Sequence, residues 1–284
     1  MQEWKLLPDD TDGNVTQKLM RDMERALRDL LAPSHPSRFD YLQVLFSSNK
    51  PRIATLNMDC GVEIAAQRAS VSLDLGLDSW RGGVDWHWGH GDAQLLKLHG
   101  SIDRYLETGR ELDGPGNRST PGFPQMPEWD DEGLLEPGVI FGPRGKFRPD
   151  GPYLAMWLEF RRWLQSASRL IVCGYSFRDE HINHLIEEWS CNQHGLEIVV
   201  VDPGFPPEPP LRESHEFVPS DVWGTTEPFS PWHLMMLEYL ACQGGPAWCP
   251  SFPSRWLDSQ PRIEIIRQGA AAALPTALGL TPEE

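Results

Sequence analysis

The chain of 284 residues is long enough to bury a substantial core, in one large domain or two small ones. Its 25 Lys and Arg against 41 Asp and Glu leave a formal charge of −16, which repels phosphate backbones and anionic membrane surfaces, so neither nucleic acid nor a membrane is an expected partner. No apolar run approaches the ~20 residues needed to span a bilayer, and the opening "MQEWKLLPDDTDG" has no signal-peptide apolar stretch, so a cytoplasmic location is expected.

In chain order, "VTQKLMRDMERALRDLLA" (15–32) puts Val15, Leu19, Met23, Leu27 and Leu30 on one face of a predicted helix, with charges opposite. A short helix is predicted over Phe39 to Phe46. "RIATLN" (52–57) reads as a strand, and "CGVEIAAQRA" as the start of the helix after it. "QLLKLHG" (94–100) is another strand. Residues 107–136 are rich in Gly, Pro and acid and are expected to form a lid-like surface loop. "GPYLAMWLEFRRWLQSA" (151–167) has Tyr153, Met156, Trp157, Phe160 and Leu164 at helical spacing, with Pro152 suited to the first turn.

"RLIVCGYS" (169–176) is read as a buried strand, in which Cys173 would be a small buried hydrophobe. The helix "DEHINHLIEEW" follows, with Ile182, Leu185, Ile186 and Trp189 as its buried stripe and Ser176 with Asp179 as a capping-box start. "LEIVVVDP" (196–203) is an apolar strand ending in an acid and a proline. Near-continuous apolar strands alternating with amphipathic helices predict an α/β fold, a parallel sheet covered on both faces. Residues 1–205 form the expected domain. Residues 206–284 form a C-terminal extension with one or two helices, one of them at 232–242, and a loose tail.

The five cysteines are scattered with no C-x-x-C pair, so neither a disulfide framework nor a zinc ribbon is expected. His184 and Glu188 stand at helical i, i+4 spacing, but the apolar stripe turns Glu188 toward solvent. No metal is therefore expected there, nor at His87 and His90 in "DWHWGHGD". The 12 tryptophans point to packing rather than to an aromatic cofactor box.

In parallel α/β sheets, ligands sit beyond the carboxyl ends of the strands. "RIATLN" runs into Asn57 and Asp59, "LLKLHG" into His99 and Ser101, "LIVCGYS" into Gly174 and Ser176, and "EIVVVD" into Asp202. Any one of these is an ordinary polar strand end, and Asn57 is also a residue type that caps helices. Together they define a candidate pocket.

"TLNMD" (55–59), "LKLHGSID" (96–103), "GYSFRDEHIN" (174–183) and "VVDP" (200–203) resemble, in order, the motifs of the bacterial sirtuin-like family of NAD-hydrolysing domains. "IFGPRGKFRPDGPYLAMWLEF" (140–160) is similar to the segment that precedes "GYSF" in that family. The resemblance covers roughly residues 50 to 205. It implies a Rossmann-like, sirtuin-type sheet and NAD as substrate. It further implies Asn57 and His99 as catalytic residues, and Thr55, Asp59, Gly174, Ser176 and Asp202 as residues that contact the dinucleotide. Asn57 would lie near the nicotinamide ribose and the attacking water, His99 at the ribose hydroxyls or as proton acceptor, and Asp202 at the adenosine ribose. The implied reaction gives nicotinamide and ADP-ribose, often in antiphage defence, with no metal.

One departure stands out. Family members begin with a strand and a glycine-rich loop that cradles the pyrophosphate. This chain reaches its first predicted helix without them, and Gly13 in "DTDGN" is surrounded by acid. An upstream start, a loop supplied by another polypeptide, and a copy that has lost NAD chemistry all stay open. A missing central strand is expected to leave an open edge or an apolar slot. Three functions follow: an NAD hydrolase, an inactive sirtuin-like binding or regulatory subunit, and an NAD-dependent protein deacylase. The last is disfavoured because such deacylases carry a ribbon of paired cysteines. A homo-oligomer or a protein partner is compatible with all three.

Overall fold

The computed structural model describes residues 35–105, 124–125, 137–139, 151–205 and 261–280, together with the helical residues 22, 26, 30 and 31. The predicted helix 232–242 lies outside the described residues, as do most of the helix 15–32 and of the loop 107–136. Leu30, expected on the apolar face of its helix, is 79% exposed. The chain is mixed α/β and divides into two compact units, Met1–Phe160 and Arg161–Glu284.

In the first unit a 3-10 helix, Pro36–Ser47, precedes β1 (Arg52–Thr55), α1 (Gly61–Arg68), β2 (Leu73–Asp74) and β3 (Ala93–Lys97). The short helix expected at 39–46 is therefore present, as a 3-10 helix. The three strands make a parallel sheet in the order β1-β3-β2, with Ile53 opposite Leu95 and Thr55 opposite Lys97. Because β3 is central, Leu95, Leu96 and Lys97 are all buried, as a strand covered on both faces must be. β1 lies at the edge and alternates between exposed and half-buried residues. The 3-10 helix is held on α1 by the Arg68–Asp40 ion pair, and a side chain at Gly61 would run into the Phe39 ring at 2.6 Å.

After β3 the chain turns at Gly100 into β4 (Gly100–Tyr105), which pairs antiparallel with β5 (Pro137–Val139). Gly100 has φ +83, and a Cβ there would collide with the Gly138 carbonyl oxygen, so both backbone angle and space demand glycine. Helix α2 (Tyr153–Ser166) begins one residue after Pro152, as its sequence predicts, and the division between the units falls within it.

The second unit contains β6 (Arg169–Cys173), α3 (Glu180–Asn192), β7 (Glu197–Val201), β8 (Arg262–Ile266) and α4 (Ala270–Ala277). Its sheet is parallel, in the order β6-β7-β8. The central strand β7 has Ile198, Val199, Val200 and Val201 at 0–1% exposure. Glu197 at its start pairs with Arg169 (2.6 Å) and Arg262 (3.4 Å) on the two flanking strands. Val199, Val201, Ala273 and Ala277 form a core cluster between β7 and α4.

The loose tail expected at the C-terminus is thus corrected over 261–280. "RIEII" completes the sheet and "AAAALPTA" covers it. The sequence reading passed over both because a five-residue strand and an alanine-rich helix carry little periodic contrast. Cys173, expected to be buried, is exposed at the end of the edge strand β6. Parallel strands with helices are compatible with a Rossmann-like fold. Among the described residues, β1 and β6 each end a sheet with one open side, and no helix is long and apolar enough to cross a membrane.

Leu95 is 0% exposed in the central strand, whereas Val84 is 45% exposed. Leu95→Ala is expected to cost about 2–5 kcal/mol, and Val84→Ala less than about 0.5 kcal/mol, measured by urea unfolding followed by tryptophan fluorescence.

Candidate functional site

The first unit brings four of the expected site residues together. β1 ends at Thr55, and the chain passes through Asn57 and Asp59 into α1. β3 ends at Lys97, and the chain passes through His99 into β4. These two segments run side by side. Leu98 N–H donates to the Thr55 carbonyl at 3.0 Å, and Ile102 N–H to the Met58 carbonyl at 3.1 Å. Asn57 is exposed; Thr55, Asp59 and His99 are half-buried. The turn also organises itself: Asn57 N–H donates to Thr55 Oγ1 (3.1 Å), and Gly61 N–H to Asp59 Oδ1 (2.8 Å). Asn57 does not cap α1; the N-cap is Cys60, without a side-chain hydrogen bond.

Beneath this turn lies a charged cluster that the sequence reading did not single out. Lys97 is 1% exposed, and its ammonium donates to the Asp59 carbonyl (2.5 Å) and to Glu63 Oε1 (2.6 Å). The second Glu63 oxygen is buried with no hydrogen-bond partner. Burial pushes the Glu63 carboxyl above its usual value, against the pull of Lys97. Burial, together with the Asp103 carboxylate, pushes the Cys60 thiol up to about 12. Asp103 Oδ1 accepts from the hydroxyl of buried Ser101. The signal was a lysine in the apolar run "AQLLKL", since lysine is rarely buried without a partner.

Donor atoms of Cys60, Glu63 and Asp103 lie within 4.8 Å of one another. A cation there would compete with Lys97 for Glu63 and would first have to displace the proton of a thiol held at about 12. Thiolate, not thiol, is the ligand form, so a cation bound there would release the Cys60 proton.

The second unit gathers the other three expected residues at the carboxyl ends of β6 and β7. Gly174 (φ +64) follows β6 and donates its N–H to the Val201 carbonyl at 3.0 Å. Ser176 is exposed, and half-buried Asp202 follows β7, its Oδ1 accepting from Gly204 N–H at 2.8 Å. Cys173 is exposed as a residue, yet partial desolvation of its sulfur, and then the Asp202 carboxylate, raises its thiol above the usual value.

Ser176 does not start α3. Asp179 is the N-cap, and its carboxylate accepts from His181 N–H at 3.1 Å; Ser176 lies too far upstream to reach the first helical turn. Between them Phe177 adopts φ +51, a strained angle for a bulky residue. Buried Asn183 holds it there. Its Nδ2 donates to the Phe177 carbonyl (2.9 Å) while its Oδ1 accepts from the Tyr175 hydroxyl (2.8 Å). Burial raises the Tyr175 hydroxyl above its usual value, so it stays a donor. The asparagine of "GYSFRDEHIN" is therefore a scaffold for the turn, not a pocket residue.

No family model matches the chain, and no curated protein matches its sequence.

Two tests follow. A thiol raised in the folded state contributes stability below its ordinary pKa, and that contribution is lost as pH rises toward about 12. Iodoacetamide should label Cys60 slowly at pH 8, with a rate rising about tenfold per pH unit as read by mass spectrometry, and Cys60→Ser should flatten the alkaline loss of melting temperature. Asn183→Ala, which orphans the Phe177 carbonyl, is expected to cost about 1–3 kcal/mol in urea unfolding.

Proposed function

We propose that the chain is a sirtuin-like NAD hydrolase that cleaves the bond between nicotinamide and ribose, giving nicotinamide and ADP-ribose, in prokaryotic antiphage defence. The observation that carries this reading is the pairing of "TLNMD" with "LHGSID" at the carboxyl ends of two adjacent parallel strands. That is where α/β sheets bind ligands. Within the reading, NAD is the substrate and the residues divide the work.

Breaking the nicotinamide–ribose bond develops positive charge on the ribose, which oriented dipoles and carboxylates stabilise. Asn57, exposed beyond β1, positions the water that attacks the anomeric carbon. His99, on the adjacent segment, accepts the proton from that water or from a ribose hydroxyl; an imidazole suits this near neutral pH. Thr55 and Asp59 hold the Asn57 turn in shape.

A second reading, an inactive sirtuin-like binding or regulatory subunit, is favoured by one fact: the sequence contains no G-x-G-x-x-G to hold a pyrophosphate. Nicotinamide release from NAD by the purified protein separates the two. Wild type is expected to release it, His99→Ala to lose about 100-fold or more in kcat, and Asn57→Ala to fall comparably, both with unchanged melting temperatures. A wild-type protein that releases none leaves the subunit reading. Activity unchanged in both variants overturns the residue assignment.

A further inference from the structure

We infer that Lys97 is the positioning residue of this site: by holding the Asp59 carbonyl, its buried ammonium sets the turn that presents Asn57 against the segment that presents His99. The inference rests on the proposed hydrolase for its catalytic meaning, but its structural content stands apart from that reading.

Three ties between the segment 55–59 and the segment 97–102 bear on the site. Two are backbone bonds, Leu98 to Thr55 and Ile102 to Met58, and they bracket Asn57 and His99 in sequence. The third is the Lys97 ammonium on the Asp59 carbonyl, made by a side chain. The same ammonium reaches Glu63 in the first turn of α1. One group therefore links the end of β3, the turn after β1 and the helix that follows.

Fold stability alone does not call for a lysine here. The position lies in a central strand beside Leu95 and Leu96, all 0–1% exposed, where an apolar side chain of similar volume packs without any desolvation penalty. Replacing a buried ion pair by apolar groups is often neutral or stabilising. The pair is also incomplete, since the second Glu63 oxygen is buried without a donor. A costly charge kept in a strand core, with its hydrogen bonds directed at one turn, marks a local rule broken for geometry.

The experiment compares Lys97→Met, Glu63→Gln and the double variant Lys97→Met/Glu63→Leu. Readouts are melting temperature, hydrogen exchange over residues 56–61, and kcat and KM for nicotinamide release from NAD. Glu63→Gln keeps the tie to Asp59, and is expected to stay within about threefold of wild type in exchange and in kcat. The double variant removes both charges and is expected to melt near wild type. Its exchange over 56–61 should nevertheless be at least about tenfold faster, and its kcat about 10- to 100-fold lower at nearly constant KM, as misplacement of a reacting group produces.

Wild-type exchange in the double variant overturns the inference and leaves Lys97 as a charge partner of Glu63 only. Glu63→Gln loosening the turn as much as Lys97→Met overturns it too, including when the double variant does not fold. If wild-type protein cleaves no NAD, the hydrolase reading fails while the exchange measurement still decides the role of Lys97.

Discussion

One buried ammonium organises the first unit. Lys97 occupies a position that the sheet geometry makes fully interior, because β3 runs between β1 and β2. A charge in that environment persists only where hydrogen bonds replace its water. The Asp59 carbonyl and the Glu63 carboxylate do so, and in satisfying the lysine they become fixed themselves. The turn after β1 then has little freedom, since its carbonyl, its carboxylate and its helix are each engaged. The raised Glu63 and Cys60 groups are consequences of the same enclosure: acidic groups crowded into a dry space around one cation.

The second unit reaches a comparable end by different means. Its turn after β6 contains a positive φ at a buried phenylalanine, which the backbone does not adopt without support. That support comes from α3, where Asn183 bonds both the Phe177 carbonyl and the Tyr175 hydroxyl. Here the donor to the turn carbonyl is a neutral amide, where in the first unit it is a buried ammonium. In each unit the residue that orders the strand-end turn lies outside the turn, on a neighbouring element already anchored by the core.

This division of labour bears on how the site is read. The polar groups at the strand ends are exposed or half-buried, Asn57 and His99 in one unit and Ser176 and Asp202 in the other. The buried polar groups Lys97, Ser101 and Asn183 make their hydrogen bonds within the protein. For an NAD hydrolase, Asn57 and His99 would meet the substrate, and Lys97 would keep their two segments in register. For a binding subunit the same scaffold would serve recognition alone, and the exposed groups would lose their chemical role while keeping their positions.

The sequence by itself determined the α/β class and the presence, though not the ends, of the strands Arg52–Thr55, Ala93–Lys97, Arg169–Cys173 and Glu197–Val201 and of the helices Tyr153–Ser166 and Glu180–Asn192, because these depend on local periodicity and on turn residues with fixed backbone preferences. It also placed Asn57, His99, Gly174, Ser176 and Asp202 at strand ends, since strand ends are marked by polar residues after apolar runs. Tertiary structure alone decided the rest. "RIEII" became a sheet strand because β7 offered a partner edge, a non-local pairing that no periodicity in five residues encodes. Cys173 is exposed because β6 lies at a sheet edge, not at its centre. Asp179, not Ser176, caps α3 because the left-handed Phe177 delays the helix. Lys97 appeared in the sequence only as a lysine in an apolar strand; which groups its ammonium holds depends on where β1 and α1 pack, and that is set by the fold as a whole.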